Sequence, residues 1–174
     1  WKDWRESGSG GSFAYTLDST NKTITMPVNQ ATRHCLFNPG NYTNYVYSVD
    51  VYPVDNDACG ITISASQPNN FNISNNAAYS KWTGFIFRFT CANQDENNDG
   101  IGNWVIYKNI DNIEYPDNLI SIASGTESSK WDRTKYHRFK AIAINNTIKF
   151  YITYDIDGTP SSEELLYTHY DTDN

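Results

Sequence analysis

Basic residues are scarce in this sequence of 174 residues. It has 13 lysines and arginines against 20 aspartates and glutamates, which gives a formal net charge of −7. Because phosphate groups and anionic membrane surfaces both attract basic segments, this balance argues against nucleic-acid binding and against membrane adhesion. The chain also lacks an apolar run long enough to span a bilayer. We therefore expect neither a nucleic-acid partner nor membrane insertion.

Helical periodicity is nearly absent, and charged residues are few. Charged residues make up 19% of the chain and hydrophobic residues 39%, so a charge-rich disordered tail is excluded. Aromatic residues make up 15% and there are 21 asparagines, a composition typical of β-strands joined by polar loops. No linker, repeat or second domain is visible, so we expect residues 1–174 to form one domain. Since the chain starts at Trp1 without a signal peptide, we expect a processed or excised piece.

Apolar and polar residues alternate with a period of two along much of the chain, as in half-buried β-strands. In residues 82–91, for example, Phe85, Phe87 and Phe89 share one face, and Ile86 and Arg88 lie on the other. The predicted strands are residues 12–17, 22–28, 33–37, 44–52, 60–66, 82–91, 104–108, 119–123, 136–144, 147–154 and 164–168. So many short strands predict an all-β fold, an antiparallel two-sheet sandwich. Asn145 and Asn146 lie between the strands 136–144 and 147–154, which predicts a tight hairpin because asparagine tolerates positive φ.

Five segments follow one another from residue 47 onward: YSVDVYPVDNDACGITISA, GFIFRF, WVIYK, ISIASG and YHRFKAIAINNTIKFYI. This series resembles the concanavalin A-like lectin/glucanase superfamily in its laminin G-like branch. The resemblance implies a jelly-roll sandwich. Domains of that family usually finish with a closing strand that pairs with the first strand, whereas this sequence stops soon after LLYTHY. Either the topology differs, or the chain was cut, or another chain supplies the strand by complementation.

An acidic loop predicts a calcium site. Residues 95–100 read DENNDG, and oxygen ligands at every second position, followed by glycine, can curl around one Ca²⁺. The alternative is a solvated acidic turn. The twelfth position lacks the glutamate of an EF-hand, so a β-loop site is the form expected. The candidate ligands are Asp95, Asn97, Asp99, the carbonyl of Ile101, and Asn103. A second acidic turn, residues 155–158, is shorter and favours a plain hairpin turn.

Aromatic side chains are the main candidates for ligand binding, because flat rings stack on the C–H faces of sugars while nearby polar groups bind hydroxyls. The alternative for each ring is packing in the sandwich core. The candidates for carbohydrate binding are Trp82, Arg88, Trp104, Tyr107, Trp131 and Tyr136.

Catalytic patterns are not found. The hydrolases of the resembled superfamily carry E-x-D-x-x-E on one strand, and no such strand occurs here. Glu163 and Glu164 are adjacent and point to opposite faces, while Glu114 and Asp117 flank a proline in a loop. The histidines show neither a nucleophile elbow nor metal-ligand spacing. We therefore expect no catalytic residues.

Several features indicate an extracellular or cell-surface protein. Four N-x-Ser/Thr sequons are glycosylation candidates, at Asn21, Asn41, Asn72 and Asn145. Cys59 and Cys91 each lie near the end of a predicted strand, so a disulfide between them is a candidate, against the alternative that each cysteine packs as a buried hydrophobe. Extracellular calcium would also fill a modest site.

Two functions follow from these observations. The first hypothesis is a non-catalytic carbohydrate-binding module of a lectin-like kind, stabilised by Ca²⁺, with a glycan as its partner. The alternative is a glycosylated structural subunit of a filament or an adhesin, which assembles with copies of itself through sheet edges. A glycoside hydrolase is the least favoured.

Overall fold

A computed structural model describes residues 2–5, 16–18, 20, 23–25, 33–36, 44–53, 58–63, 82–90, 102–112, 119–127 and 129–170. The strands within these ranges are β1 (Lys2–Arg5), β2 (Thr16–Asp18), β3 (Thr23–Thr25), β4 (Arg33–Leu36), β5 (Tyr45–Val51), β6 (Ala58–Ile63), β7 (Trp82–Thr90), β8 (Asn103–Asn112), β9 (Ile120–Thr126), β10 (His137–Ile144), β11 (Thr147–Thr153) and β12 (Glu164–Tyr170). The described residues contain no helix, so none there is available to cross a membrane.

Two four-stranded antiparallel sheets form the body of the fold. Sheet I has the order β12-β11-β10-β5, and sheet II has the order β6-β7-β8-β9. Two further antiparallel pairs are formed by β1 with β4 and by β2 with β3. The predicted fold class, an all-β antiparallel two-sheet sandwich, is confirmed. The sequence did not predict β1, and β8 is longer than the predicted strand 104–108.

The core lies between the two sheets and is filled by the residues that alternate along each strand. Phe87 of sheet II is fully buried and packs edge-on against Phe139 and Phe150 of sheet I, with ring centroids 5.1 and 5.7 Å apart. The predicted inward face of β7 is therefore confirmed. The same strand's outward face is also partly covered, since Ile86 is only 6% exposed.

The β10–β11 hairpin confirms the sequence prediction for its turn. Ile144 pairs with Thr147, so the connection has only Asn145 and Asn146 between the strands. Asn145 has φ 52°, the positive value that a primed two-residue turn needs at its first central position. The amide of Asn145 also donates to Oδ1 of Asn44 at 2.7 Å, which ties the turn to the start of β5.

Candidate functional site

Two exposed tyrosines lie side by side where β5 ends and β10 begins. Val51 pairs with His137, so the next residues, Tyr52 and Tyr136, are neighbours across the two strands. Their ring centroids are 5.0 Å apart with a tilt of 50°, and the residues are 42% and 37% exposed. Large aromatic side chains usually gain stability by burial. A pair left this accessible is therefore a candidate for ligand contact, and we call it the tyrosine pair.

A bidentate ion pair lies two residues further along the same strands. Arg138 pairs with Asp50 in the β10–β5 register. The guanidinium Nε donates to Oδ1 at 2.6 Å and Nη2 donates to Oδ2 at 2.8 Å. The hydrogen bond and charge of Asp50 raise the pKa of Arg138. Both side chains are well exposed, so this pair supplies fixed planar donors and acceptors beside the two rings.

A second ion pair continues this row of polar side chains. Lys140 Nζ donates to both carboxylate oxygens of Glu163, at 2.8 and 3.0 Å. The same ammonium group lies over the ring of Tyr151, 5.3 Å from its centroid. The outer face of sheet I thus carries, in order along β10, an aromatic pair and two charged pairs.

The turn at residues 155–158 holds Tyr136 in place. The amide of Tyr136 donates to Oδ1 of Asp157 at 3.2 Å, and the carbonyl of Tyr136 accepts from the amide of Ile156 at 3.0 Å. Asp155 has φ 51°, and its carbonyl accepts from the amide of Gly158 at 3.2 Å. A turn is present at this position as predicted, and it fixes the backbone of Tyr136.

A stack of three rings lies in the core behind the tyrosine pair. The indole of Trp131 is 4.3 Å from the ring of Phe89 at 9° and 4.2 Å from the ring of His137 at 18°. Trp131 and Trp104 are both buried in the core cluster. These two carbohydrate-binding candidates therefore pack in the core and do not form a binding surface. Trp82 begins β7, and Tyr136 belongs to the tyrosine pair.

His137 links this stack to the surface. Its Nε2 is 2.7 Å from the carbonyl oxygen of Asp132, and because a carbonyl only accepts, Nε2 carries the hydrogen and donates. Asp132 is fixed in turn by Thr134, whose amide and hydroxyl donate to Oδ1 at 2.8 and 2.7 Å. These bonds also lower the pKa of the Asp132 carboxyl. Burial lowers the pKa of His137, and the nearby carbonyl and carboxylates of Asp132, Asp155 and Asp157 offset only part of this effect.

The lowered pKa of His137 predicts a pH dependence of stability. Below pH 6.5, the ordinary pKa of a histidine, the unfolded chain binds a proton that the folded protein does not bind. The contribution of His137 to stability is therefore fully present above pH 6.5 and falls as the pH drops towards the pKa of His137 in the folded protein. One such proton changes the free energy of unfolding by about 1.4 kcal/mol per pH unit. Urea titrations from pH 7.5 to about pH 5 should show the stability of the natural protein falling as the pH drops, with His137 contributing no more than this amount per pH unit.

The control is His137→Gln, which cannot titrate. We expect its stability to change less over the same pH range than that of the natural protein, and subtracting the two slopes isolates His137. Equal slopes would show that His137 contributes no proton linkage.

Two other carbohydrate candidates meet on the outer face of sheet II. Arg88 Nη2 donates to the hydroxyl of Tyr107 at 3.1 Å, and the guanidinium carbon lies 4.9 Å from the centroid of the Tyr107 ring. Both residues are half-buried. The structure thus brings five of the six candidates into three places: the core, the tyrosine pair with Tyr136, and the Arg88–Tyr107 pair.

The calcium prediction falls largely outside the described residues. Asp95, Asn97, Asp99 and Ile101 lie there, and only Asn103 is described. Asn103 begins β8, and its Oδ1 accepts from the hydroxyl of Thr126 at 2.7 Å. Asn103 is exposed, which fits a calcium ligand, although Thr126 already uses one acceptor direction of its Oδ1. Within the described ranges, no cluster of three His, Cys, Asp or Glu side chains could hold a metal.

The covalent predictions also stay largely open. Cys59 lies in β6 opposite Phe89, and Cys91 is outside the described residues, so the disulfide stays a prediction. Asn145 is exposed at the tip of the β10–β11 hairpin, a position accessible to glycosylation. The sequons at Asn21, Asn41 and Asn72 lie outside the described ranges.

Comparison with known proteins adds no relative: no family model, curated protein or solved structure matches the chain. The two-sheet sandwich is therefore established by the strand pairing itself.

The residues that sequence reasoning missed are Tyr52 and the ion pair of Asp50 with Arg138. All three lie in predicted strands. The predicted strand 44–52 ends with Tyr52 and the predicted strand 136–144 begins with Tyr136, so pairing these two strands would have brought the tyrosines together.

Proposed function

We propose that the protein is a non-catalytic extracellular module that binds carbohydrate on the outer face of sheet I. The observation that carries this proposal is the exposed pair of Tyr52 and Tyr136, with ring centroids 5.0 Å apart. A sugar ring has an apolar C–H face that stacks on an aromatic ring and a rim of hydroxyls that need polar partners. The tyrosine pair offers the first kind of contact.

The polar partners stand next to the rings. The Arg138–Asp50 pair is held by two hydrogen bonds, so its free donor and acceptor directions point in fixed orientations. Asp157, which accepts from the Tyr136 amide, adds a carboxylate next to Tyr136. Because these groups are already ordered by the fold, binding a sugar costs little side-chain entropy.

The concanavalin A-like resemblance and the calcium loop supply the finer part of the proposal. The sandwich agrees with the coarse architecture of that superfamily, and many of its members bind sugars. In this proposal Ca²⁺ is held by the residue 95–103 loop and stabilises the module. The ion takes no part in a reaction.

A glycan array tests the proposal, read with calcium and again with EDTA. We expect selective binding by the natural protein. Tyr136→Ala and Tyr52→Ala should each weaken it by about tenfold, because losing one ring contact removes on the order of 1 kcal/mol or more. Loss of binding in EDTA would support the calcium role.

Tyr170→Ala is the matched control, because Tyr170 is more exposed than either partner at 69% and lies opposite Thr147 at the far end of sheet I. It should bind like the natural protein. A blank array, or equal losses in all three variants, would contradict a site at the tyrosine pair.

A second candidate function, assembly into a filament or adhesin, is favoured by the sheet edges. Among the described residues β9 pairs only with β8, and β12 pairs only with β11. These strands expose Ile120, Leu165 and Tyr170, and an open edge with apolar side chains invites an added strand. Sedimentation with and without calcium tests it: larger species would favour assembly, and a monomer in both conditions would count against it.

A further inference from the structure

Four described cations pair with carboxylates, whereas Arg88 does not. Arg138, Lys130 and Lys140 each lie within 2.8 Å of a carboxylate oxygen, and Lys135 lies 3.5 Å from Asp155. No carboxylate among the described residues forms an ion pair with Arg88. Arg88 is nevertheless half-buried in a chain of net charge −7.

The described residues around Arg88 exclude water from its Nε without supplying an anion. Its Nε is buried and has no hydrogen-bond partner among the described residues. Ile86, two residues earlier on the same face, is 6% exposed. A charge taken out of water is costly unless it is paired, and none of the described residues supplies Arg88 with a negative group.

The residues directly opposite Arg88 on the two neighbouring strands have no polar side chain that could bind its guanidinium. Gly60 stands opposite Arg88 on β6 and carries none. Val105 stands opposite on β8 and is apolar. The only described polar partner is Tyr107, and its hydroxyl oxygen already accepts from Nη2 at 3.1 Å. The hydroxyl hydrogen of Tyr107 is therefore left to donate elsewhere.

We propose that Arg88 and Tyr107 form an anion site for a single carboxylate or sulfate group, on the side of the sandwich opposite to the tyrosine pair. The guanidinium N–H groups and the phenol O–H donate to the oxygens of the anion, a charge-assisted arrangement that arginine suits by its planar fork. The Tyr107 ring, 4.9 Å from the guanidinium carbon, helps to hold the guanidinium in place through a cation–π contact. The group is either a free ion or a substituent of an acidic saccharide.

The test follows the arginine side-chain Nε–Hε signals of the full chain by nuclear magnetic resonance. The probes are sodium acetate, sodium sulfate, a glucuronate-containing oligosaccharide, a sulfated oligosaccharide and a neutral oligosaccharide, all at constant ionic strength. We expect the Arg88 signal to move with the acidic probes and to stay with the neutral one. Tighter binding of an acidic saccharide than of its free ion, by about tenfold, identifies the saccharide as the source, and equal binding identifies the free ion.

Variants assign the site. Arg88→Gln should weaken the acidic probes by about tenfold or more, since hydrogen bonds to charged groups are the strong ones. Tyr107→Phe keeps the ring and so preserves the fold, and it should weaken them several-fold through the lost hydroxyl. Lys130→Gln is the matched control, because Glu127 and Glu164 already pair with that lysine, and it should bind as the natural protein does. An Arg88 signal that no acidic probe moves, or unchanged affinity in both Arg88→Gln and Tyr107→Phe, would overturn the proposal.

Discussion

Replacing Phe89 by alanine lowers the free energy of unfolding by about 3–5 kcal/mol, the usual cost of deleting a buried phenylalanine ring. Phe89 is fully buried and stacks on Trp131 at 4.3 Å. It also meets Phe139 edge-on at 5.6 Å and Tyr154 at 6.2 Å. Its loss therefore opens a void where sheet II, sheet I and the ring stack converge. Urea unfolding followed by circular dichroism measures the change.

Because a domain of this size has a total stability of only about 5–15 kcal/mol, Phe89→Ala alone risks leaving too little folded protein to measure. Phe89→Leu keeps most of the volume and should cost less, so it ranks between the natural protein and the alanine variant. Tyr170→Ala, on the exposed end of β12, should change stability by no more than about 0.5 kcal/mol. A Phe89→Ala loss as small as that of Tyr170→Ala would show that this ring stack does not hold the sandwich together.

Replacing Gly60 by alanine also destabilises the protein, by about 1–3 kcal/mol or more. A β-carbon at position 60 would lie 2.0 Å from the carbonyl oxygen of Phe87 and 2.7 Å from the α-carbon of Arg88. Both atoms belong to the backbone of β7, so no side chain can rotate away and the two strands must separate. Thermal unfolding measures the loss as a lower midpoint.

Gly158→Ala is the matched control for this prediction. There the added carbon would meet Oδ1 of Asp155 at 2.5 Å, which is the end of a side chain that can move. We expect Gly158→Ala to cost clearly less than Gly60→Ala. Equal costs, or a neutral Gly60→Ala, would mean that β6 and β7 are not as close at this position as the register requires.

Alternation in the sequence was sufficient to predict much of the sandwich. Phe85, Phe87 and Phe89 do face the core, and the Asn145–Asn146 turn closes the hairpin as expected. Alternation has a limit, however, because it assigns residues to faces without saying how well the outer face is covered. The buried state of Ile86 on the outward face depends on neighbours distant in sequence, and no local pattern carries that information.

The candidate site was harder to predict, because aromatic residues look alike in sequence whether they pack or bind. Trp131 lies in a turn region with no period to assign it, and it is buried because Phe89 and His137 flank it in space. Tyr52 and Tyr136 became a pair only through the β5–β10 register, which joins strands far apart in the chain. Such long-range pairing is decided by the whole fold rather than by local propensity.

The Arg88–Tyr107 pair shows the opposite case. Both residues were candidates from the sequence, and they meet because β7 and β8 are adjacent, with Ile86 opposite Tyr107. What the sequence did not reveal is that Arg88 lacks a carboxylate partner among the described residues. That property depends on where the fold places the acidic residues. Asp50, for example, pairs with Arg138, and Glu163 pairs with Lys140.

The most direct test of carbohydrate binding at the tyrosine pair is a titration of the protein with its best array glycan, followed through tyrosine ring signals in nuclear magnetic resonance. The account predicts that the signals of Tyr52 and Tyr136 shift together and saturate with the glycan, while the signal of Tyr170 stays in place. Saturable binding that leaves the rings of Tyr52 and Tyr136 unmoved would contradict it.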